Sequence, residues 1–283
     1  MLTEGQEREI LQKAYVPEQI VGLMTALSGG EPYLLDDFLC LAKDDWVIVI
    51  GYPLGGGSQP PALENVLTEA KKRFRPVYLW FAAPEIPRSF SRECTERESD
   101  FYYVLNLRDL PADRTLMGRV RKASKGLRVE RSMRMSQEHE RLVQEFLARG
   151  VPSPRVRQLF LSMPRYAEGS SSCTVLSARD RDGRLAAMYV VELAAAKFAA
   201  YLVGCHSKEN YVPYASDLLF YEMTQLAREQ GKECVNLGLG VNQGIRRFKE
   251  KWGGVPWLRY EFCGCTGAKG GALQMFRWFG MVR

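Results

Sequence analysis

The sequence predicts an α/β protein built on mixed sheets, and three observations predict it. Short apolar runs such as W-V-I-V-I and V-Y-L-W-F-A-A have the length and the β-branched or aromatic content of strands. Amphipathic stretches of helical length alternate with them. The alternation occurs twice, because each half of the 283-residue chain reads strand, connecting loop, long helix, strand, short helix, strand. The first two strands are centred about 30 residues apart in the first half (near Val49 and Leu79) and about 33 apart in the second (near Leu202 and Val235). Residue identity between the halves is negligible, so the repeat is one of architecture. It divides the chain into an expected first domain, 1–110, and a second, 111–283.

In chain order, residues 5–28 read as a helix on the apolar positions Ile10, Leu11, Ala14 and Ile20 to Leu27. Asp45–Tyr52 is a buried strand, followed by a Gly/Pro loop and a helix from Pro61 to Phe74. The loop, P-L-G-G-G-S-Q-P, has neither the G-K-[ST] ending nor the G-x-G-x-x-G spacing of a phosphate loop, so it reads as a turn. Residues 77–83 form a second strand, 87–97 a short polar helix and 101–107 a third strand. Pro111 opens a basic helix that stops near Gly126. Helices at 137–149 and 154–166 lead to two strands joined by D-R-D-G, a hairpin signal. The strand Phe198–Cys205 follows. A helix runs from Ser216, its expected N-cap, to Gln230, with Gly231 as its stop. Residues 233–238 are a strand, Gln243–Lys251 a short helix and 256–263 the last strand.

Hydrophobic residues at 46% and charged residues at 25% exclude a disordered or fibrous chain. The longest uncharged run, Trp46–Leu63, is broken by prolines and glycines and cannot span a bilayer. The acidic, polar start shows no secretory leader. Seven cysteines, an odd number with no C-x-x-C pair, and only two histidines do not make a zinc site, so no metal is expected. They read as buried thiols of a reducing compartment, which implies a cytoplasmic protein. The net charge of +6 is unevenly spread: Met117–Arg165 carries 12 Lys or Arg against 4 Glu. That density suits a phosphate-bearing ligand or RNA. The run R-V-R-K-A-S-K-G-L-R-V contains no aromatics for base stacking, and Arg121 and Lys122 are its candidate substrate contacts. The tail from Gly267, basic and aromatic, reads as a segment packed on the second domain, with peripheral membrane contact as the alternative.

The stretch Tyr201–Trp252 holds the motifs A-S-D-L-L-F-Y-E-M, N-L-G-L-G and R-R-F-K-E-K-W-G-G in that order. With the basic helix before them, they resemble the Gcn5-related N-acetyltransferase (GNAT) superfamily, and within it the Fem-type branch with tandem acyltransferase domains. The resemblance covers most of residues 100–263 and, more weakly, the first hundred. It implies a tandem GNAT-like fold and an acyl- or aminoacyl-transferase. The donor would be acyl-CoA or aminoacyl-tRNA, with tRNA as a partner, and the acceptor a small-molecule or peptide amine. It also implies that the strands Phe198–Cys205 and Glu233–Leu237 start together and splay, leaving main-chain groups to hold the donor carbonyl.

Lys249 aligns with the lysine of the Fem F-K-x-x-[FW]-G run and is the first catalytic candidate, as a cation beside a developing oxyanion. Glu192 and Asp217 are candidate general bases, Glu192 being expected at an exposed hairpin position. Gly238, Gly240, Asn242, Arg246, Arg247 and Ser216 are candidate donor-binding residues. Tyr211 and Tyr214 join Arg121 and Lys122 as substrate contacts. The segment before Ser216 departs from the acetyltransferase pattern, because it carries Pro213, two tyrosines and an acid but no glycine. That weakens the case for coenzyme A. It keeps open a second reading, a non-catalytic GNAT-like protein holding a nucleotide-bearing or lipid ligand in the old donor cleft. A third, RNA binding through the basic segment alone, would show a steep salt dependence.

Overall fold

The computed structural model of the chain describes residues 2–57, 60–110, 113–150 and 153–266. Pro111 and the tail from Gly267 lie outside the described residues, as does part of the Gly/Pro loop. The chain forms two compact units. The first takes the described residues within Met1–Tyr103, Leu239–Val241 and Pro256–Arg283, and the second takes Val104–Gly238 and Asn242–Val255.

The first unit begins with α1 (Glu4–Lys13), capped by Thr3, whose hydroxyl accepts from the Gln6 N–H while the Gln6 side chain accepts from the Thr3 N–H. The single helix expected over 5–28 is interrupted. Pro17 cannot continue a helix, so a 3-10 turn (Pro17–Gln19) intervenes before α2 (Val21–Ser28). A hairpin that the sequence reading passed over follows, β1 (Glu31–Leu35) and β2 (Phe38–Lys43). Then come β3 (Trp46–Ile50), α3 (Pro60–Phe74) and β4 (Tyr78–Ala83). The segment 87–97 does not form a polar helix throughout, because β5 already starts at Cys94 and runs to Asn106. Residues of β5 up to Tyr103 belong to the first unit and the rest to the second.

The strand order of the first unit is β1-β2-β3-β4, then β11 (Val255–Thr266), then β5. β3 and β4 are parallel and the other recorded pairs antiparallel. Alternation sorts their side chains into two cores. Leu39, Leu41, Ile48, Ile50, Trp80 and Phe262 pack with Ile10, Val21 and Met24 of α1 and α2. Cys40, Val47, Val49, Leu79, Phe81 and Cys263 pack with Leu63, Val66, Leu67 and Ala70 of α3. Burial on both faces explains why W-V-I-V-I reads as an unbroken apolar run. Each such side chain withdrawn from water contributes about 1.5–3 kcal/mol. Cys94 on β5 and Cys263 on β11 form a disulfide, with Cα atoms 5.5 Å apart. This corrects the expectation of free thiols throughout. The partners are 169 residues apart in sequence and become neighbours only through strand pairing.

The second unit contains α4 (Arg114–Ser124), β6 (Arg128–Ser132), α5 (Gln137–Leu147), α6 (Pro154–Gly169), β7 (Cys173–Arg179), β8 (Leu185–Glu192), β9 (Phe198–His206), α7 (Ala215–Glu229), β10 (Cys234–Leu239) and α8 (Gln243–Lys251). β10-β9-β8-β7-β6 is the strand order, antiparallel except for β9 with β10. The edge strand β6 escaped the sequence reading because R-V-E-R-S lacks an apolar pattern. The D-R-D-G hairpin forms as expected. Its Asp180 N–H donates to the Arg184 carbonyl at 3.0 Å, and the Asp180 carboxylate accepts from the N–H groups of Asp182 and Arg184. β8 is buried along its whole length. Its Tyr189 reaches α7, and Ser177, in register with Met188 on the opposite parity, reaches α5, so the two helices cover opposite faces.

His139 joins α5 to that face. Its Nδ1 accepts from the Ser136 N–H at 2.8 Å, so Nε2 carries the proton and donates to Ser177 Oγ at 2.8 Å. Burial, then Arg179, lowers its pKa below the ordinary 6.5. The unfolded chain therefore binds the extra proton first, and stability is kept above pH 6.5 and lost as pH falls through the folded value. His206 is lowered in the same direction and adds to the same window. Thermal melts between about pH 7.5 and 5 should show this loss, and His139→Gln should flatten it. An unchanged slope in that variant would contradict the assignment.

Candidate active site

β9 and β10 lie side by side in the second unit but are paired over only three residues, at Phe198/Cys234, Ala199/Val235 and Ala200/Asn236. β9 then continues to His206, held on its other edge by β8, while β10 continues to Leu239 without a recorded pairing to β9. Two local features lie where the pairing ends. Asn236 is buried, and its Oδ1 accepts the Gly238 N–H at 2.9 Å within the strand. Gly238 takes φ +70°, a conformation that costs an L-residue about 1 kcal/mol or more. A Cβ there would stand 3.7 Å from the Tyr201 carbonyl. The β9–β10 ladder therefore stops where the splay was expected, and the β8–β9 register also shifts there, between Val190 and Val191.

The start of α7 lies beside the basic helix. Tyr214, the residue before α7, adopts φ +66° and caps the helix without a side-chain hydrogen bond. Ser216 is thus inside the helix and is not its N-cap. Its carbonyl accepts from the Tyr189 hydroxyl at 3.0 Å. α4 buries Leu116, Val120 and Ala123, packs on α7, and leaves Arg121 and Lys122 exposed. Arg119 and Lys122 both stand over the Tyr214 ring, 5.7 Å from its centre. Tyr211 is exposed, and its ring lies 6.2 Å from that of His206 at the end of β9. Burial, followed by Arg149, keeps His206 below its ordinary pKa.

α8 is docked on α7. Asn242 is its N-cap, with Oδ1 accepting the Ile245 N–H at 3.0 Å. Phe248 and Trp252 both contact Phe220, with ring centres 5.5 and 4.9 Å away. Asp217, in the first turn of α7, is buried and accepts from Lys251 Nζ and from Trp252 Nε1 (2.9 Å). The helix ends in a glycine pair, where the Gly253 N–H donates to the Glu250 carbonyl and the Gly254 N–H to the Lys249 carbonyl, both at 2.9 Å. A Cβ on Gly254 would sit 2.7 Å from Leu237 Cδ1 and 2.9 Å from the Lys249 carbonyl oxygen. The W-G-G signature therefore seats the end of α8 against β10. Lys249 itself is 4% exposed, where a solvated lysine would be largely open.

Thus Asp217, Ser216, Tyr214, Lys122, Gly238 and Lys249 are borne by elements that pack on one another around the splayed strands. Arg246, Arg247 and Arg121 are exposed beside them. Gly240 falls in the first unit, where its N–H donates to the Phe101 carbonyl at 3.2 Å. Glu192 is not at an exposed hairpin position. It is fully buried at the end of β8, accepting from the Tyr166 hydroxyl, the N–H groups of Leu193 and Ala194 (3.0 and 2.8 Å) and Ser170. The sequence reading missed Asn236, Arg119 and the Trp252–Asp217 contact. Only the first had a local signal, an Asn two residues before a Gly.

Among the described residues no helix is long and apolar enough to cross a membrane, and no group of three or more His, Cys, Asp or Glu could hold a metal ion. No protein-family model matches the chain, and no curated protein matches it. Solved structures do. FemX is similar at 13% identity and a TM-score of 0.62, over 92% of this chain and 96% of that one. L-PGS from Bacillus licheniformis is similar at 14% identity and 0.56, over 92% of each chain. A tandem GNAT protein from the clavulanic acid biosynthesis pathway is similar at 13% identity and 0.54, over 94% and 95%. The chain has a GNAT-like, Fem-type α/β fold.

Proposed function

We propose that this protein transfers an acyl or aminoacyl group from a phosphate-bearing donor to an amine, with the donor carbonyl lying between the splayed halves of β9 and β10. The observation that carries the reading is the pairing that stops after Ala200 and Asn236. Beyond that point an extended donor can take the main-chain hydrogen bonds that the strands no longer give each other. The fold likeness to FemX and L-PGS supports the class of reaction.

The chemistry follows from the surroundings. The amine nitrogen attacks the donor carbonyl, and a C–N bond forms as the C–O bond of an ester, or the C–S bond of a thioester, breaks. Main-chain N–H groups along the gap and the buried Lys249 ammonium offset charge on the tetrahedral oxygen. The leaving oxygen or sulfur takes a proton, and the amine loses one. His206, kept neutral at the end of β9, can accept a proton at neutral pH. Both Glu192 oxygens accept from neighbouring groups, and Asp217 Oδ1 accepts from Lys251 and Trp252, so in this reading the two acids hold the framework. Arg119 and Lys122 beside Tyr214 supply the phosphate seat that a glycine-rich loop supplies elsewhere.

Aminoacyl-tRNA fits this seat better than acyl-CoA, because the loop before α7 carries two tyrosines and Pro213 in place of glycines. Thermal-shift and filter-binding titrations with aminoacyl-tRNA and acyl-CoA should show stabilisation by the former. Charge reversal of Arg119 and Lys122 should weaken tRNA binding and flatten its salt dependence. Stabilisation by neither donor would overturn the transferase reading. It would favour the non-catalytic one, which the absence of glycine from the segment before Ser216 supports.

A further inference from the structure

A second group of residues, wholly within the first unit, has no role in that reaction. The turn Tyr15–Gln19 is pinned by one side chain. Gln19 Oε1 accepts the N–H groups of Tyr15 (2.8 Å) and Val16 (3.3 Å), and its Nε2 donates to the Tyr52 carbonyl at 2.8 Å. This fixes Glu18 among aromatic rings. Trp257, Tyr15, Tyr52, Tyr102 and Tyr260 form a chain of edge-to-face contacts, with centre-to-centre steps of 6.0, 6.4, 5.7 and 5.5 Å. The inner rings are buried, Tyr15 is half-buried and Trp257 is 47% exposed, so the chain runs from surface to interior.

Two polar atoms in this group are enclosed, Glu18 Oε2 and the Tyr102 hydroxyl; neither makes a hydrogen bond of good geometry, and the two side chains form only a loose pair with each other. They lie close enough for each group to perturb the other's proton affinity. Burial raises the Glu18 carboxyl above its ordinary value, and no cation is among the groups that act on it. An enclosed carboxylate without a cation costs several kcal/mol unless a partner arrives. Tyrosine rings beside a carboxylate form the environment that selects an organic cation, since ring faces attract positive charge while the carboxylate neutralises it.

We infer that Glu18, Tyr15, Tyr52, Tyr102 and Trp257 form a binding site for an alkylammonium group, entered past Trp257 and Tyr15. Primary and quaternary ammonium share the chemistry, whether on a free small molecule or on a lysine side chain. The site stands independently of the transfer reaction proposed above.

Calorimetric titration of the full chain tests it, using n-butylammonium, tetramethylammonium, N-acetyl-lysine methylamide and the neutral isostere 3,3-dimethylbutanol. At least one of the three cations should bind saturably and the alcohol should not. Tighter binding of the lysine derivative than of n-butylammonium would identify a peptide side chain as the source, and the reverse a free amine. Glu18→Gln keeps the shape and removes the charge, so it should weaken binding at least tenfold. The same variant should melt no lower than wild type near pH 7, which separates loss of binding from loss of fold. Trp257→Ala, at an exposed position, should weaken binding several-fold as a second check. The proposal is overturned if no cation binds, if the alcohol binds as well as the cations, or if Glu18→Gln binds like wild type. Absence of cation binding together with a higher melting temperature for Glu18→Gln would mean that Glu18 is only a buried acid holding its own proton.

Discussion

Replacing Lys249 with methionine should lower the turnover of acyl transfer by about 100- to 1,000-fold, the usual cost of removing one oxyanion-stabilising group. Methionine keeps most of the stem that α8 buries, so the melting temperature should stay within a few degrees of wild type. The KM for the donor should move far less than kcat, because the lost interaction belongs to the transition state. Lys249→Arg should restore part of the rate if position and charge both matter. Wild-type turnover in Lys249→Met would remove the lysine from the reaction. It would leave its burial explained by the docking of α8 alone.

Asp217→Ala should have its largest effect on stability. The side chain is buried and receives Lys251 and Trp252 Nε1 together. Removing it strands an indole N–H and a lysine cation at a helix junction, at a cost of about 3 kcal/mol. At roughly 2–4 °C per kcal/mol for a chain of this size, the melting temperature should fall by about 6–12 °C. Asp217→Asn keeps an acceptor for Trp252 and should recover much of that loss. A general base would behave in the opposite way, with Asn preserving the fold and abolishing transfer. Differential scanning calorimetry and a transfer assay on both variants separate the two roles.

The two aspartate and glutamate candidates show where a linear reading stops. Asp217 at a helix start and Glu192 at a strand end look alike in sequence, as acids at the edge of an element. Their partners lie 26 to 35 residues away, Tyr166 for Glu192 and Lys251 and Trp252 for Asp217. Whether an acid is free to take a proton depends on those partners, and no local pattern announces them. By contrast the place where β9 and β10 stop pairing was anticipated, through the family resemblance of the motifs around it and not through Asn236, whose contact with the Gly238 N–H only the structure shows. The W-G-G end of α8 was legible as a motif. Its purpose, seating Lys249 against β10, became visible only with Leu237 in place.

The sequence by itself determined the alternation of strands and helices, most of their boundaries, the hairpin at Asp180–Gly183, the glycine stops and the concentration of positive charge before residue 165. These follow from interactions among residues a few positions apart. Only the tertiary structure decided that Cys94 meets Cys263, that Glu192 is buried, that Arg119 and Lys122 stand at Tyr214, and that Glu18 lies enclosed among tyrosines. Each of those depends on which strand or helix lies beside which. That choice is made by burial of apolar faces over the whole chain, and the polar residues carried to the same place are what give the site its chemistry.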